Sequence, residues 1–148
     1  MIYLASDHGG YKLKEEIEKY LKERGEEVVD VGPQKLDPGD DFPDFVIPLA
    51  HKVAEDPNNL GVALCRNGVG VEIAANKVAG VRAALSWDPK HAASSRRDDN
   101  SNVLALPADY LDEKKALQVL EAWLSTPYAK KERFERRLRK IKQEEQHG

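Results

Sequence analysis

Apolar residues in this chain follow two alternating rhythms. Short apolar runs at Ile2–Ala5, Val28–Val31, Gly61–Cys65, Val81–Leu85 and Val103–Leu106 read as strands. Between them, apolar positions recur at helical spacing. Leu13, Ile17 and Leu21 fall four apart among Lys and Glu, which predicts a helix over Tyr11–Arg24, stopped by Gly25. Phe45, Leu49 and Val53 repeat the pattern over 42–55, where Pro48 either kinks the helix or marks its true first turn. A small-residue helix follows Cys65 and closes at Gly80, and Asp88-Pro89 is an N-cap and first-turn pair for the next one. Ala116, Leu117, Leu120 and Leu124 mark a helix over 112–124. Pro127 then breaks the chain before a last helix, over about 128–146, with Phe134, Leu138 and Ile141.

Strict strand–helix alternation predicts an α/β fold, a parallel sheet of five strands covered on both faces. The absence of repeats and linkers makes 1–148 one domain. Such folds bind ligands outside the carboxyl ends of their strands. Asp7-His8, Asp41-Phe42, Cys65–Gly70 and Ser86-Trp87-Asp88 should therefore share one rim.

Composition narrows the class. Hydrophobic residues at 41% and charged residues at 33% are ordinary for a soluble globular chain. One cysteine excludes an internal disulfide and a cysteine metal cluster and suits a reducing, cytoplasmic setting. No run approaches the ~20 apolar residues of a membrane span, and no signal-peptide pattern opens the chain. A net charge of −3 gives no general drive toward nucleic acid, although eight Lys/Arg against four Glu follow from Lys130 onward. The stripe on the last helix has no open sheet face to cover, which suggests a partner subunit. Arg133 and Arg137, at i and i+4, share a helix face and could together grip a phosphate or carboxylate.

The candidate chemistry lies in Gly61-Val62-Ala63-Leu64-Cys65-Arg66-Asn67-Gly68-Val69-Gly70. A buried strand ends on the single thiol, two glycines turn the chain, and a helix begins. Backbone N–H groups and the helix dipole favour negative charge there, and the same field favours a thiolate. The stretch reads as an anion site beside a reactive sulfur.

Ser6-Asp7-His8-Gly9-Gly10 resembles the opening of the ribose-5-phosphate isomerase B family, which includes the galactose-6-phosphate isomerase subunits. So do Asp41-Phe42-Pro43-Asp44, the Cys65 loop with Ile73-Ala74-Ala75-Asn76-Lys77, Gly80-Val81-Arg82-Ala83-Ala84, Asn102-Val103-Leu104, Ala122-Trp123-Leu124-Ser125-Thr126 and Arg133-Phe134-Glu135-Arg136-Arg137. The resemblance is collinear from about residue 2 to 141. It implies a Rossmann-like three-layer α/β/α fold with the C-terminal helix packing on a partner subunit. It further implies a homodimer, sometimes a tetramer, with sites built from both subunits, and a reaction without metal or cofactor. That reaction interconverts aldose and ketose phosphates through an enediolate.

The resemblance assigns roles. Cys65 would be the base that moves the proton between C1 and C2, and the amides from Asn67 through Val71, including those of Gly68, Val69 and Gly70, the anion hole. Asp7 would contact a sugar hydroxyl, and His8, Arg133 and Arg137 the phosphate. The chain also departs from the family pattern. Cys65-Arg66-Asn67-Gly68 stands for the usual Cys-Gly-Thr-Gly, which places Arg66 and Asn67 against the substrate; Asn67 cannot relay a proton as a hydroxyl does. Asp98-Asp99 occupy the positions of a His-Asn pair whose His opens the sugar ring, so Asp98 takes that acid–base position and Asp99 the neighbouring substrate contact. Asp109 stands for an arginine, and Phe42 for a tyrosine. The expected function is isomerisation of a ribose 5-phosphate type of substrate. An isomerase of another pentose or hexose phosphate and a non-catalytic phosphosugar-binding homologue stand beside it; a flavodoxin-like module lacks support, with no second Gly-rich loop.

Overall fold

The computed structural model describes residues 1–147. Along it run β1 (Ile2–Ser6), α1 (Tyr11–Glu23), β2 (Val28–Gly32), α2 (Pro43–Ala54), β3 (Leu60–Cys65), α3 (Val69–Ala75), β4 (Ala83–Leu85), α4 (Pro89–Asp99), β5 (Val103–Pro107), α5 (Glu113–Ser125) and α6 (Glu132–His147), with a 3-10 turn at Ala108–Tyr110. The strands form one parallel sheet in the order β2-β1-β3-β5-β4, with helices on both faces, so the fold is three-layer α/β/α. No helix is long and apolar enough to cross a membrane among the described residues.

The sheet's two faces differ in side-chain size. Leu4, Val62, Leu64, Leu104 and Leu106 point toward Ile17 and Leu21 of α1, Ala92 of α4, and Val119, Leu120 and Trp123 of α5. The opposite face carries Ala5, Ala63, Cys65 and Ala105 against Val46, Leu49, Ala50 and Val53 of α2 and Val71 and Ala75 of α3. Small strand residues let α2 and α3 approach closely. A Cβ at Gly61 would stand 2.8 Å from Leu49 and 2.9 Å from Val53.

Several expectations shift. Helix α2 starts at Pro43, whose missing N–H costs nothing in a first turn, and it continues through Pro48. Strand β4 starts at Ala83 rather than at Val81, because Val81 N–H bonds the Val78 carbonyl in a turn and Arg82 N–H is taken by Asn102 Oδ1 at 2.7 Å. Helix α1 is rotated from the stripe expected, burying Lys14 with Ile17 and Leu21 and leaving Leu13 only partly covered. On α5, Val119 and Trp123 are fully buried, while Leu117 and Leu124 are not.

The last helix begins at Glu132, later than expected, and its stripe is used partly at home. Phe134 is buried within its own chain, and the Arg133 guanidinium lies 4.7 Å from its ring centre. Leu138 is half-buried and Ile141 exposed, so the unpartnered surface is shorter than the periodicity suggests.

Candidate active site

The central strand β3 ends on Cys65, and its register aligns Ser6 with Leu64 and Cys65 with Pro107. The segments leaving β1, β3 and β5 therefore emerge side by side. With the Phe42 ring they enclose a cleft of about 520 Å³, lined by Asp7, His8, Cys65, Arg66, Asn67, Val69 and Gly70, with Asp109 and Tyr110 at its edge. The loop after β4 does not join this cleft. Trp87 instead stacks on His91, centroids 4.6 Å apart, beside a separate hollow of about 460 Å³.

The thiol is buried, 5% exposed, and its Sγ donates to Asn67 Oδ1 at 3.7 Å. The same oxygen accepts the Val69 N–H at 3.0 Å, so Asn67 closes the turn that leads into α3 while facing the sulfur. The N–H groups of Gly70 and Val71 lie in the first turn, where no intrahelical carbonyl is available to them. Gly68 makes this turn possible at φ +73°, and an added Cβ would lie 2.5 Å from Leu85 Cδ1 and 3.0 Å from Pro107 N. Gly68→Ala is therefore expected to destabilise the fold by about 2 kcal/mol or more, read as a lowered midpoint in chemical denaturation. A loss below about 0.5 kcal/mol would show that the turn rearranges freely.

Asp7 is buried, and its Oδ1 accepts the Gly10 N–H at 3.1 Å. His8 is bound through Nδ1 to Asp40 Oδ1 at 2.8 Å. The Arg66 stem passes over Gly9, where a Cβ would come within 2.5 Å of Arg66 Cγ. Arg66 Nη1 stands 3.7 Å from Asp109 Oδ2, and the Asp109 N–H donates to the Arg66 carbonyl at 2.9 Å. The two unusual charges at 66 and 109 thus face one another across the cleft edge.

One chain does not bring all the candidates together. Asp98, Asp99, Arg133 and Arg137 lie outside the Cys65 cleft. Asp98 pairs with Arg97 Nε at 3.0 Å. Asp99 lines the hollow beside Trp87, and its carboxyl is raised above its ordinary value by burial first and then by the Asp98 charge, with Arg137 opposing. Arg133 and Arg137 are exposed on α6. Asp40 was not legible as a site residue; the turn residues Asp37-Pro38-Gly39 before it were the only local signal.

A parallel sheet with a thiol at the end of its central strand, beside unbonded helix-start amides, defines an α/β enzyme site open to an anionic substrate. A family model described as Ribose/Galactose Isomerase matches residues 2–141. Ribose-5-phosphate isomerase B of Mycobacterium tuberculosis is 39% identical over 137 residues, covering 93% of this chain and 85% of the relative. The crystal structure of ribose-5-phosphate isomerase B from Mycoplasma genitalium with bound ribulose-5-phosphate superposes with a TM-score of 0.96 at 40% identity, covering 99% of this chain and 97% of that one. Type B ribose 5-phosphate isomerase from Trypanosoma cruzi gives a TM-score of 0.92 at 35% identity, with 99% of both chains covered. The chain belongs to the Ribose/Galactose Isomerase family, and so to the sugar-phosphate isomerases.

Proposed function

We propose that this chain interconverts an aldose phosphate and a ketose phosphate, of the ribose 5-phosphate/ribulose 5-phosphate type, through an enediolate with Cys65 as the base. One observation carries the reading: the only thiol lies in a cleft beside the first-turn amides of α3, in a chain that covers 99% of its length on an isomerase structure with ribulose-5-phosphate bound. The thiolate takes the proton from C2 of the open-chain aldose. The electron pair moves into the C1–C2 bond as the C1 carbonyl oxygen becomes anionic, and the free amides of Gly70 and Val71 hold that charge, the Val69 N–H being taken by Asn67 Oδ1. Cys65 returns the proton to C1, and the O2 proton passes to O1, directly or by exchange through solvent, leaving the ketose. Asn67 donates through its amide to the sugar oxygens, and Asp7 holds a hydroxyl.

His8, Arg133 and Arg137 bind the phosphate, remote from the reacting carbons, so the grip positions substrate without entering the bond changes. Because Arg133, Arg137, Asp98 and Asp99 lie away from the chain's own cleft, the reading includes a homodimer in which the second subunit supplies them. Asp98 then opens the sugar ring and Asp99 contacts the sugar. Pairing of dimers into a tetramer is compatible with this arrangement, and the reaction as written needs neither metal nor cofactor. The setting proposed is the cytoplasm.

Two measurements test the proposal. Turnover across pentose and hexose phosphates in heavy water should place deuterium on the product carbon that receives the proton. Binding without turnover on the whole panel would instead identify a phosphosugar-binding homologue. Mixing and re-pairing inactive Cys65→Ala and Arg137→Ala subunits should restore roughly a quarter of wild-type activity, since half of the random dimers carry one intact site of two. No recovery would sink the shared site.

A further inference from the structure

His8 is oriented by a residue from a distant loop. The turn before α2 is closed by Gly39 N–H to Asp37 Oδ1 at 2.9 Å and by Asp40 N–H to the Asp37 carbonyl at 3.1 Å. It delivers Asp40 to the end of β1. There Asp40 Oδ1 accepts both donors of one residue, the His8 backbone N–H at 3.0 Å and the ring Nδ1–H at 2.8 Å. The Asp40 side chain is only 6% exposed, and its second oxygen is buried without a hydrogen-bond partner among the described residues. A carboxylate so withdrawn from water is costly unless a positive charge stands beside it. The neighbouring charges of the cleft are otherwise engaged, Asp7 with Gly10 N–H and Arg66 with Asp109.

An ionised carboxylate has no proton to give, so Nδ1 must be the donor in this bond. That fixes which ring nitrogen carries a proton and leaves Nε2 without a partner among the described residues, on a side chain that lines the cleft. We propose that Asp40 is a positioning residue: it holds His8 by Nδ1–H so that Nε2 meets the substrate phosphate, and it is the counter-charge of the ring when phosphate is bound. A phosphate oxygen accepts, so Nε2 must arrive carrying a proton. With Nδ1–H committed to Asp40, the bound ring is an imidazolium between two anions. The inference rests on His8 being a phosphate ligand, as read above.

The test follows the histidine ring nitrogens by long-range proton–nitrogen correlation in the full-length protein, where only four histidines contribute. In the neutral wild-type ring, His8 should carry its proton on Nδ1, and titration with inorganic phosphate should protonate both nitrogens. In Asp40→Asn the carboxamide can donate to Nδ1, moving the proton to Nε2. Phosphate affinity should fall about tenfold, and KM for ribose 5-phosphate should rise by a similar factor while kcat stays within about threefold. A general loosening of the loop would lower kcat as well and leave the tautomer mixed. A wild-type ring protonated on Nε2 alone overturns the inference even if the variant fails to fold. So does an Asp40→Asn protein with unchanged tautomer and phosphate affinity, and either result leaves the isomerase reading standing. A wild-type His8 that phosphate does not perturb overturns both this inference and the phosphate role of His8, while turnover is scored separately.

Discussion

Cys65→Ala is expected to lower kcat for sugar-phosphate isomerisation by about 10³-fold, with KM changed by less than about threefold. The asymmetry follows from where the thiol sits. It lines the part of the cleft beside the first-turn amides of α3, whereas the phosphate ligands proposed are His8 and the α6 arginines, so its loss removes the proton carrier and leaves the grip. Removing a single buried sulfur opens a cavity smaller than a water molecule, at a cost of about 1 kcal/mol, so the variant should remain folded. Cys65→Ser restores the volume but offers a hydroxyl that is a far weaker acid than a thiol, and should stay similarly slow. Initial rates in both directions, together with the denaturation midpoint of each variant, check the prediction. Activity within tenfold of wild type would remove Cys65 from the base position and turn attention to the carboxylates.

The largest expected loss of stability comes from a buried pair that does not line the cleft. Lys14 on α1 is 1% exposed, and its ammonium lies 2.6 Å from Asp30 Oδ1 and 2.6 Å from the Pro33 carbonyl. Asp30→Ala leaves that buried charge with one neutral acceptor, and is expected to destabilise by about 3–5 kcal/mol. Lys14→Met fills the same volume without a charge to desolvate. It should fall within about 1 kcal/mol of wild type, because Asp30 still accepts the Gly32 N–H at 2.9 Å and keeps contact with water. Urea denaturation of the two variants gives the contrast directly. Equal losses, or an Asp30→Ala cost below about 1 kcal/mol, would mean that Lys14 swings out to solvent.

Lys14 also marks where the sequence stops being legible. A lysine one position after an apolar residue reads as solvated, and the four-residue spacing of Leu13, Ile17 and Leu21 hides that the buried stripe is Lys14, Ile17 and Leu21. Asp30 on β2, with the Pro33 carbonyl, makes the lysine acceptable inside. The sheet itself was readable because buried parallel strands are continuous apolar runs, and the Cys65 loop because glycines at spacing two mark a strand-to-helix turn. His8–Asp40 spans 32 positions and Arg66–Asp109 crosses from β3 to β5, so no local spacing encodes either pair. Phe134 looked unpartnered because periodicity shows a stripe, while its burial comes from how its own chain folds back. Spacing pairs Arg133 with Arg137 on one helix face, whereas Asp98 and Asp99 were legible only through family resemblance, and a single chain leaves all four outside the thiol's cleft.

The order of the strands has a consequence for motion. Strands β2 and β4 are the sheet's edges, and β4 has only three residues, so either can loosen while the centre stays intact. Strand β3 is hydrogen-bonded on both sides, by β1 and β5, and both its faces are packed. Its amides can exchange with solvent deuterium only through openings that approach global unfolding. The Cys65 sulfur is thereby mounted on the central strand, and the chain can breathe at its margins without moving the atom proposed to carry the proton.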